Sequence, residues 1–166
     1  MDGQSVPLAR HERRVNEGIS MSKPAYIFDI DGTLSDLTHR LHFIQGERKD
    51  WDGFFGAVAD DGIHEHIAAI ARAIHAEQAV VIVSGRSDQC RAETGAWLER
   101  HKIPYDALYM RRAGDHRPDD KVKQEILADL RDDGWEPVMV FDDRDRVVAM
   151  WRELGIPCAQ VAPGEF

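Results

Sequence analysis

Asp29 and Asp31 stand two residues apart at the end of the apolar run Ala25-Tyr26-Ile27-Phe28, and Gly32 follows at once. Residues i and i+2 of an extended strand share a face, so the two carboxylates point the same way. Side by side, one can attack an electrophile while the other moves protons. Gly32 lets the chain turn sharply after them. Alone, Asp-x-Asp-Gly is equally an ordinary turn after a strand. Two later apolar runs end in residues of the same kind, however: Ser84-Gly85-Arg86 follows Val83, and Asp142-Asp143-Arg144 follows Phe141. If these ends share one rim, four carboxylates converge there and cannot all ionise together without a cation. An oxygen-liganded divalent metal, Mg2+ before others, answers that repulsion.

The elements that must position these residues are legible as a pattern. Apolar runs at 25–28, 79–83, 107–110, 137–141 and 157–161 are nearly unbroken, as in strands buried on both faces of a parallel sheet. Between them, Ile63, Ile67, Ile70 and Ile74, and later Val147, Met150, Trp151 and Leu154, recur at helical spacing. The alternation predicts an α/β fold: a doubly wound, Rossmann-like parallel five-stranded sheet with right-handed crossovers. Ligands of such sheets bind beyond the carboxyl ends of the strands. The interval from Thr33 to Ala79 is longer than a crossover requires. Its surplus, about residues 35–62, contains the helically spaced Trp51, Phe54, Phe55 and Val58 and reads as a small helical cap insertion in a domain spanning 25–166. Residues 1–24 are polar, carry a second methionine at 21, and read as a flexible tail or leader.

Length and charge narrow the field. A chain of 166 residues is one domain. Its 30 acids against 21 bases, a net −9, argue against a protein that coats nucleic acid over a broad surface. The segment 100–123 nevertheless holds seven bases against four acids, enough to grip one phosphorylated end. Cys90 and Cys158 read as free buried thiols of a reducing, cytoplasmic compartment. No apolar run approaches the ~20 residues that cross a bilayer. Two lysines follow the helix start at Asp119-Asp120. Lys123 borders the stripe Val122, Ile126, Leu127 and Leu130, whereas Lys121 aligns with Glu125, Ala128 and Asp129, so Lys123 faces the site, held by Asp119 one turn earlier.

The stretch Asp29-Ile30-Asp31-Gly32-Thr33-Leu34, with Ser84, a downstream lysine and Asp142-Asp143, resembles the four motifs of the haloacid dehalogenase (HAD) superfamily. The resemblance implies that Asp29 is a nucleophile forming an aspartyl-phosphate, and that Asp31 is the general acid for the leaving oxygen and then the base for water. It implies that Ser84 bonds the phosphoryl oxygens. Mg2+ would be held by Asp29, the Asp31 main-chain carbonyl and Asp142, with Asp143 close by. The second aspartate marks a phosphatase rather than a dehalogenase. Ser84-Gly85-Arg86, Arg117-Pro118-Asp119-Asp120-Lys121-Val122-Lys123, Phe141-Asp142-Asp143-Arg144 and the ending 147–166 are also similar to the 3′-phosphatase domain of phage polynucleotide kinase-phosphatases. That closer likeness is weakest between 35 and 76. It implies phosphate binding by Arg40 and Arg86, with Thr33 and Gly85 beside them, and it pairs Lys123 with Asp119. No Gly-x-x-x-x-Gly-Lys-Ser/Thr occurs, so a kinase activity, like a ligase, would belong to a separate partner.

An insertion of ~30 residues is too small to close a full lid over a free metabolite. An open rim admits a polymer end, which favours a polynucleotide 3′-phosphate as substrate. A nucleotide or other small phosphomonoester is the alternative. A catalytically silent binding module is disfavoured by the complete set Asp29, Asp31, Ser84, Lys123 and Asp142. Other signals read as structural. His64 and His66 point apart on a helix, His39 and His42 are surface or packing residues beside Arg40, and Trp51, Phe54 and Phe55 pack the insertion rather than stack on bases. Arg111-Arg112 is left between a solvated loop and a backbone contact.

Overall fold

The computed structural model describes residues 22–164. The expected tail lies outside them up to residue 21, and Lys23 already belongs to the first strand. In chain order the elements are β1 (Lys23–Phe28), β2 (Ser35–Asp36), α1 (Trp51–Gly56), β3 (Gly62–Ile63), α2 (Glu65–His75), β4 (Ala79–Ser87), α3 (Arg91–Arg100), β5 (Ala107–Arg111), α4 (Asp119–Asp132), β6 (Trp135–Asp142), α5 (Asp145–Glu153) and β7 (Cys158–Gln160). Short 3-10 helices occupy Thr38–Phe43, Val58–Asp60 and Asp88–Cys90.

Five strands pair in parallel in the order β5-β4-β1-β6-β7. The chain moves outward from β1 through β4 to β5, then returns to the other side of β1 for β6 and β7. That reversal leaves a crevice at the carboxyl ends of the central strands. Alternate residues feed the two faces. Ala25, Ile27, Val81, Val83 and Val140 pack against Val122, Ile126 and Leu130 of α4 and Val147 and Trp151 of α5. Phe28, Val80, Ile82 and Phe141 pack against Ile67, Ala68 and Ala71 of α2 and Trp97 and Leu98 of α3. Burial on both faces is why the strands read as unbroken apolar runs.

Two helix stripes end differently from their spacing. Ile70 is 40% exposed, because α2 turns Ile67, Ala68 and Ala71 to the sheet and the small alanines allow close approach. Leu154 is 41% exposed, because α5 stops at Glu153 and leaves it at the C-cap. The insertion is tied at its base, where β2 and β3 pair antiparallel with Ser35 opposite Ile63. Asp50 caps α1 by accepting the Gly53 N–H at 2.8 Å. Val58 packs on Cys90 and Met110, and Arg100 of α3 donates to the Ala59 carbonyl. The insertion therefore leans on the α3 side of the sheet edge. Cys90 and Cys158 are both free and buried. Among the described residues no helix is long and apolar enough to cross a membrane.

Candidate active site

Strand register builds the floor of the site. Phe28 of β1 pairs with Phe141 of β6, and their rings stack at 4.4 Å with 7° between planes. The next residue of each strand is an aspartate, so Asp29 and Asp142 stand side by side across one strand spacing. The Asp29 N–H donates to the Phe141 carbonyl at 3.0 Å, which fixes the backbone under the carboxylate. From the second turn of α4, Lys123 Nζ reaches Asp29 Oδ1 at 2.8 Å and Asp142 Oδ2 at 2.7 Å. Asp119 Oδ2, one turn earlier, lies 3.7 Å from the same ammonium. Lys121 points to solvent, its side chain 61% exposed.

Charge is not balanced here. Burial pushes the Asp29 carboxyl well above its usual range; Lys123 opposes this, and Asp142 and Asp143 add to it. Burial and then the neighbouring Asp142 push Asp143 up to about 6. For Lys123, burial works against the charge, but Asp142, Asp29 and Asp119 outweigh it and the ammonium is held. Carboxylate oxygens of Asp29, Asp142 and Asp143 lie within 4.8 Å of one another. One lysine among three acids leaves surplus negative charge on hard oxygen donors, which is what a divalent cation such as Mg2+ fits. Gly32 is required twice over: its φ is +83°, and a Cβ there would stand 2.2 Å from Asp143 Oδ2.

Beside this floor Asp31 enters a second charge cluster. Arg40 Nη2 and Arg86 Nη2 both donate to Asp31 Oδ1 at 2.6 Å, and Arg86 Nε donates to it at 2.8 Å. Burial alone would raise the Asp31 carboxyl, but Arg86 and Arg40 more than offset it and hold it below the usual range. On the far side of the same arginines lies Asp61, which sequence reasoning missed. Its carboxylate accepts from Arg40 Nε at 2.6 Å, from Arg40 Nη2 at 2.8 Å and from Arg86 Nη2. His39 Nε2 lies 2.9 Å from it, and the Asp61 carbonyl accepts the Trp97 indole N–H at 2.8 Å. Both guanidiniums are fully buried, Arg40 over the Phe54 ring at 4.2 Å. Arg40 Nη1 is buried without a hydrogen-bond partner among the described residues.

A cleft of about 400 Å³ opens above these groups, with Asp29, Asp31, Gly85, Asp119, Lys123, Asp142 and Asp143 in its lining. Ser84, Thr33, Arg40 and Arg86 are fully buried and do not line it. The Ser84 hydroxyl accepts the Arg86 N–H at 3.2 Å, and the Thr33 hydroxyl donates to Asp143 at 3.4 Å. β4 runs on to Ser87, so Gly85 and Ser87 reach the cleft surface. A Cβ on Gly85 would stand 2.3 Å from Asp119 Oδ1, which is why that position is bare. Arg111 is neither a loop residue nor a free cation. It donates to the carbonyls of Gly85 at 2.8 Å and Arg117 at 2.7 Å, and to Asp119 at 3.1 Å, joining β4, the turn before α4 and α4 itself. The insertion supplies an apolar wall, Leu37, Leu41, Ile44, Trp51, Phe54 and Phe55, and the α4 and α5 side supplies a charged one.

The family described as the polynucleotide kinase PNKP phosphatase domain matches residues 23–166. The chain belongs to that family. A chain of the Pnkp1/Rnl/Hen1 RNA repair complex is 31% identical to this phosphatase domain, with a TM-score of 0.76 over 87% of this chain and 44% of its own. A bifunctional polynucleotide kinase/RNA ligase of Autographa californica nuclear polyhedrosis virus is 29% identical over 135 residues, 80% of this chain and 18% of the viral protein. The phosphatase domain thus spans less than half the length of either relative. The haloacid dehalogenase-like hydrolase SP0104 of Streptococcus pneumoniae, 15% identical with a TM-score of 0.60, covers 86% of this chain and shares its fold. The domain is an α/β phosphatase of the HAD fold.

Proposed function

We propose that this phosphatase domain is a Mg2+-dependent polynucleotide 3′-phosphatase working through an aspartyl-phosphate. The observation that carries the reading is Asp29, buried at the floor of an open cleft and held by Lys123 beside Asp142. Lys123 fixes the Asp29 carboxylate by one oxygen, which leaves the other for attack on phosphorus. As the Asp29–phosphorus bond forms, the bond to the 3′ oxygen breaks, and a proton from Asp31 neutralises the departing oxygen. Water then attacks the same phosphorus and gives its proton back to Asp31, releasing inorganic phosphate and free Asp29. With both arginines on it, Asp31 is ionised, the form that takes the proton from water. To act first as an acid it must gain a proton, which a substrate phosphate beside Asp31 would favour by competing for Arg40 and Arg86, both fully buried beneath the cleft. Arg40 Nη1, a buried donor with no acceptor, supports that assignment. Asp29, Asp142 and Asp143, with the Asp31 carbonyl, would hold Mg2+, which would offset the charge shared by carboxylates and phosphate.

The cleft supports a polymer end. The insertion lines it on one side with apolar residues, and the α4 and α5 side supplies charged ones that suit a phosphate backbone. The named relatives, an RNA repair complex and a polynucleotide kinase/RNA ligase, support a nucleic-acid end as substrate and a ligase as companion. The test is phosphate release from a 3′-phosphorylated oligonucleotide and a 3′-mononucleotide at equal concentration, with Mg2+ and with EDTA. Preference for the oligonucleotide, lost in EDTA, is expected. Equal or faster release from the mononucleotide transfers the reading to small phosphomonoesters, and no release from either leaves a silent binding module.

A further inference from the structure

We propose that Trp51 is a stacking platform for the 3′-terminal base of a single-stranded polynucleotide, with Arg112 and Arg146 taking the phosphates that precede it; this rests on the 3′-phosphatase reading and deepens it. The spacing of Trp51, Phe54 and Phe55 suggested packing of the insertion, and Phe54 does pack, at 5% exposure. Trp51 does not. It is 45% exposed at the start of α1, whereas Trp97 and Trp151 are fully buried in the two cores. Its indole lines the same cleft as Asp29. Phe55 stacks against it at 6.0 Å and Phe54 meets it edge-on at 5.8 Å, so the ring is braced from within the insertion while almost half of the residue stays exposed. Lys49 Nζ stands over the ring, 5.6 Å from its centre, a flexible cation that an incoming base would displace. A braced, exposed indole beside a phosphate-cleaving floor suits any base, because every base has a π face.

The charged wall distinguishes a strand from a mononucleotide. Arg117 is committed to Asp115 and Glu125 on both sides of its guanidinium. Arg112 is 82% exposed and meets Asp129 only at 3.5 Å, and Arg146 is 61% exposed and meets Asp120 only at 4.0 Å. Such loose surface pairs exchange readily for a phosphate. One aromatic face and two available guanidiniums around one floor fit a terminal base and the backbone that precedes it. A free mononucleotide has no further phosphate to offer them.

The experiment measures kcat/KM of the wild type and Trp51→Ala on a single-stranded 3′-phosphorylated oligonucleotide, on the same strand with an abasic terminal residue, and on p-nitrophenyl phosphate. The ratio of oligonucleotide to p-nitrophenyl phosphate kcat/KM is expected to fall on the order of ten- to a hundredfold in Trp51→Ala, chiefly through KM. Removing the terminal base should cost the wild type a similar factor and cost Trp51→Ala little more. Trp51→Phe, which retains an aromatic face, should recover most of the ratio. An unchanged ratio in Trp51→Ala, or equal losses on all three substrates, overturns the platform. If the wild type releases phosphate from p-nitrophenyl phosphate but from no oligonucleotide, the 3′-phosphatase reading itself fails. If it cleaves base-bearing and abasic ends alike, only the platform fails.

Discussion

Replacing Asp61 by asparagine removes one negative charge from a cluster in which Asp31 and Asp61 neutralise Arg40 and Arg86. The side chains of both arginines and of Asp61 are fully buried, and Asp61 takes four contacts from Arg40, Arg86 and His39. Asparagine preserves shape but leaves two buried guanidiniums facing one carboxylate. Breaking a buried pair by deleting one partner typically costs about 3–5 kcal/mol, since the remaining charge stays desolvated. Against a total stability of ~5–15 kcal/mol this is a large fraction. At roughly 2–4 °C per kcal/mol for a domain near this size, the melting midpoint should fall by about 6–20 °C. Urea titration should show a lower midpoint at unchanged slope. Glu125→Gln, which removes a solvent-exposed partner of Arg117, serves as the surface comparison and should leave the midpoint in place. The phosphatase activity of the folded fraction of Asp61→Asn should also fall, because Arg40 and Arg86 lose the anchor that aims them at Asp31. A stability within about 1 kcal/mol of wild type would refute the reasoning, since it would mean that Asp31 and solvent suffice to compensate both arginines.

Two further outcomes follow from the site. Gly32 and Gly134 have φ of +83° and +88°, but only at Gly32 would a Cβ strike a neighbour, Asp143. Alanine at either position should destabilise the fold by a similar backbone penalty, whereas only Gly32→Ala should abolish Mg2+-dependent phosphate release; equal activities would show that the close approach to Asp143 is dispensable. Asp143 sits at about 6 in the fold against 3.8 in the open chain, so the native state holds its proton more tightly. In EDTA its contribution to stability is therefore complete below about pH 4 and lost as the pH rises through 6, by up to about 3 kcal/mol. Urea melts should show Asp143→Asn gaining on the wild type across that window; a constant difference would contradict the assignment.

The site was legible where one element carries its own signal. Asp29, Asp31 and Asp142 follow apolar strands, and parallel register alone then sets Asp29 beside Asp142. Lys123 could be chosen over Lys121 because a helix of 14 residues has a face to read. The arginine cluster was half legible. Arg40 and Arg86 were named, but Asp61 lies in Asp60-Asp61-Gly62, which reads as a solvated turn. Only the return of the insertion onto β4 buries it under arginines 21 and 25 residues away. The usable signal was the demand itself: two buried guanidiniums need a second carboxylate. Ser84 and Thr33, whose phosphate roles rest on the family resemblance, lie buried beneath the cleft, a depth that spacing along one strand does not reveal. Trp51 shows the limit of spacing in an α1 of six residues, where apolar periodicity does not separate the packed side from the rim.

The most direct measurement is phosphate release from a 3′-phosphorylated oligonucleotide in Mg2+ by the wild type and by Asp29→Asn. Asparagine keeps the contact side of the floor and lightens its repulsion, so the variant should fold, which circular dichroism and a melt can verify. Its turnover should drop to below a few per cent of wild type, because the atom that bonds phosphorus is gone. A folded Asp29→Asn that retains more than that would contradict an aspartyl-phosphate at Asp29 and with it the proposed chemistry of the cleft.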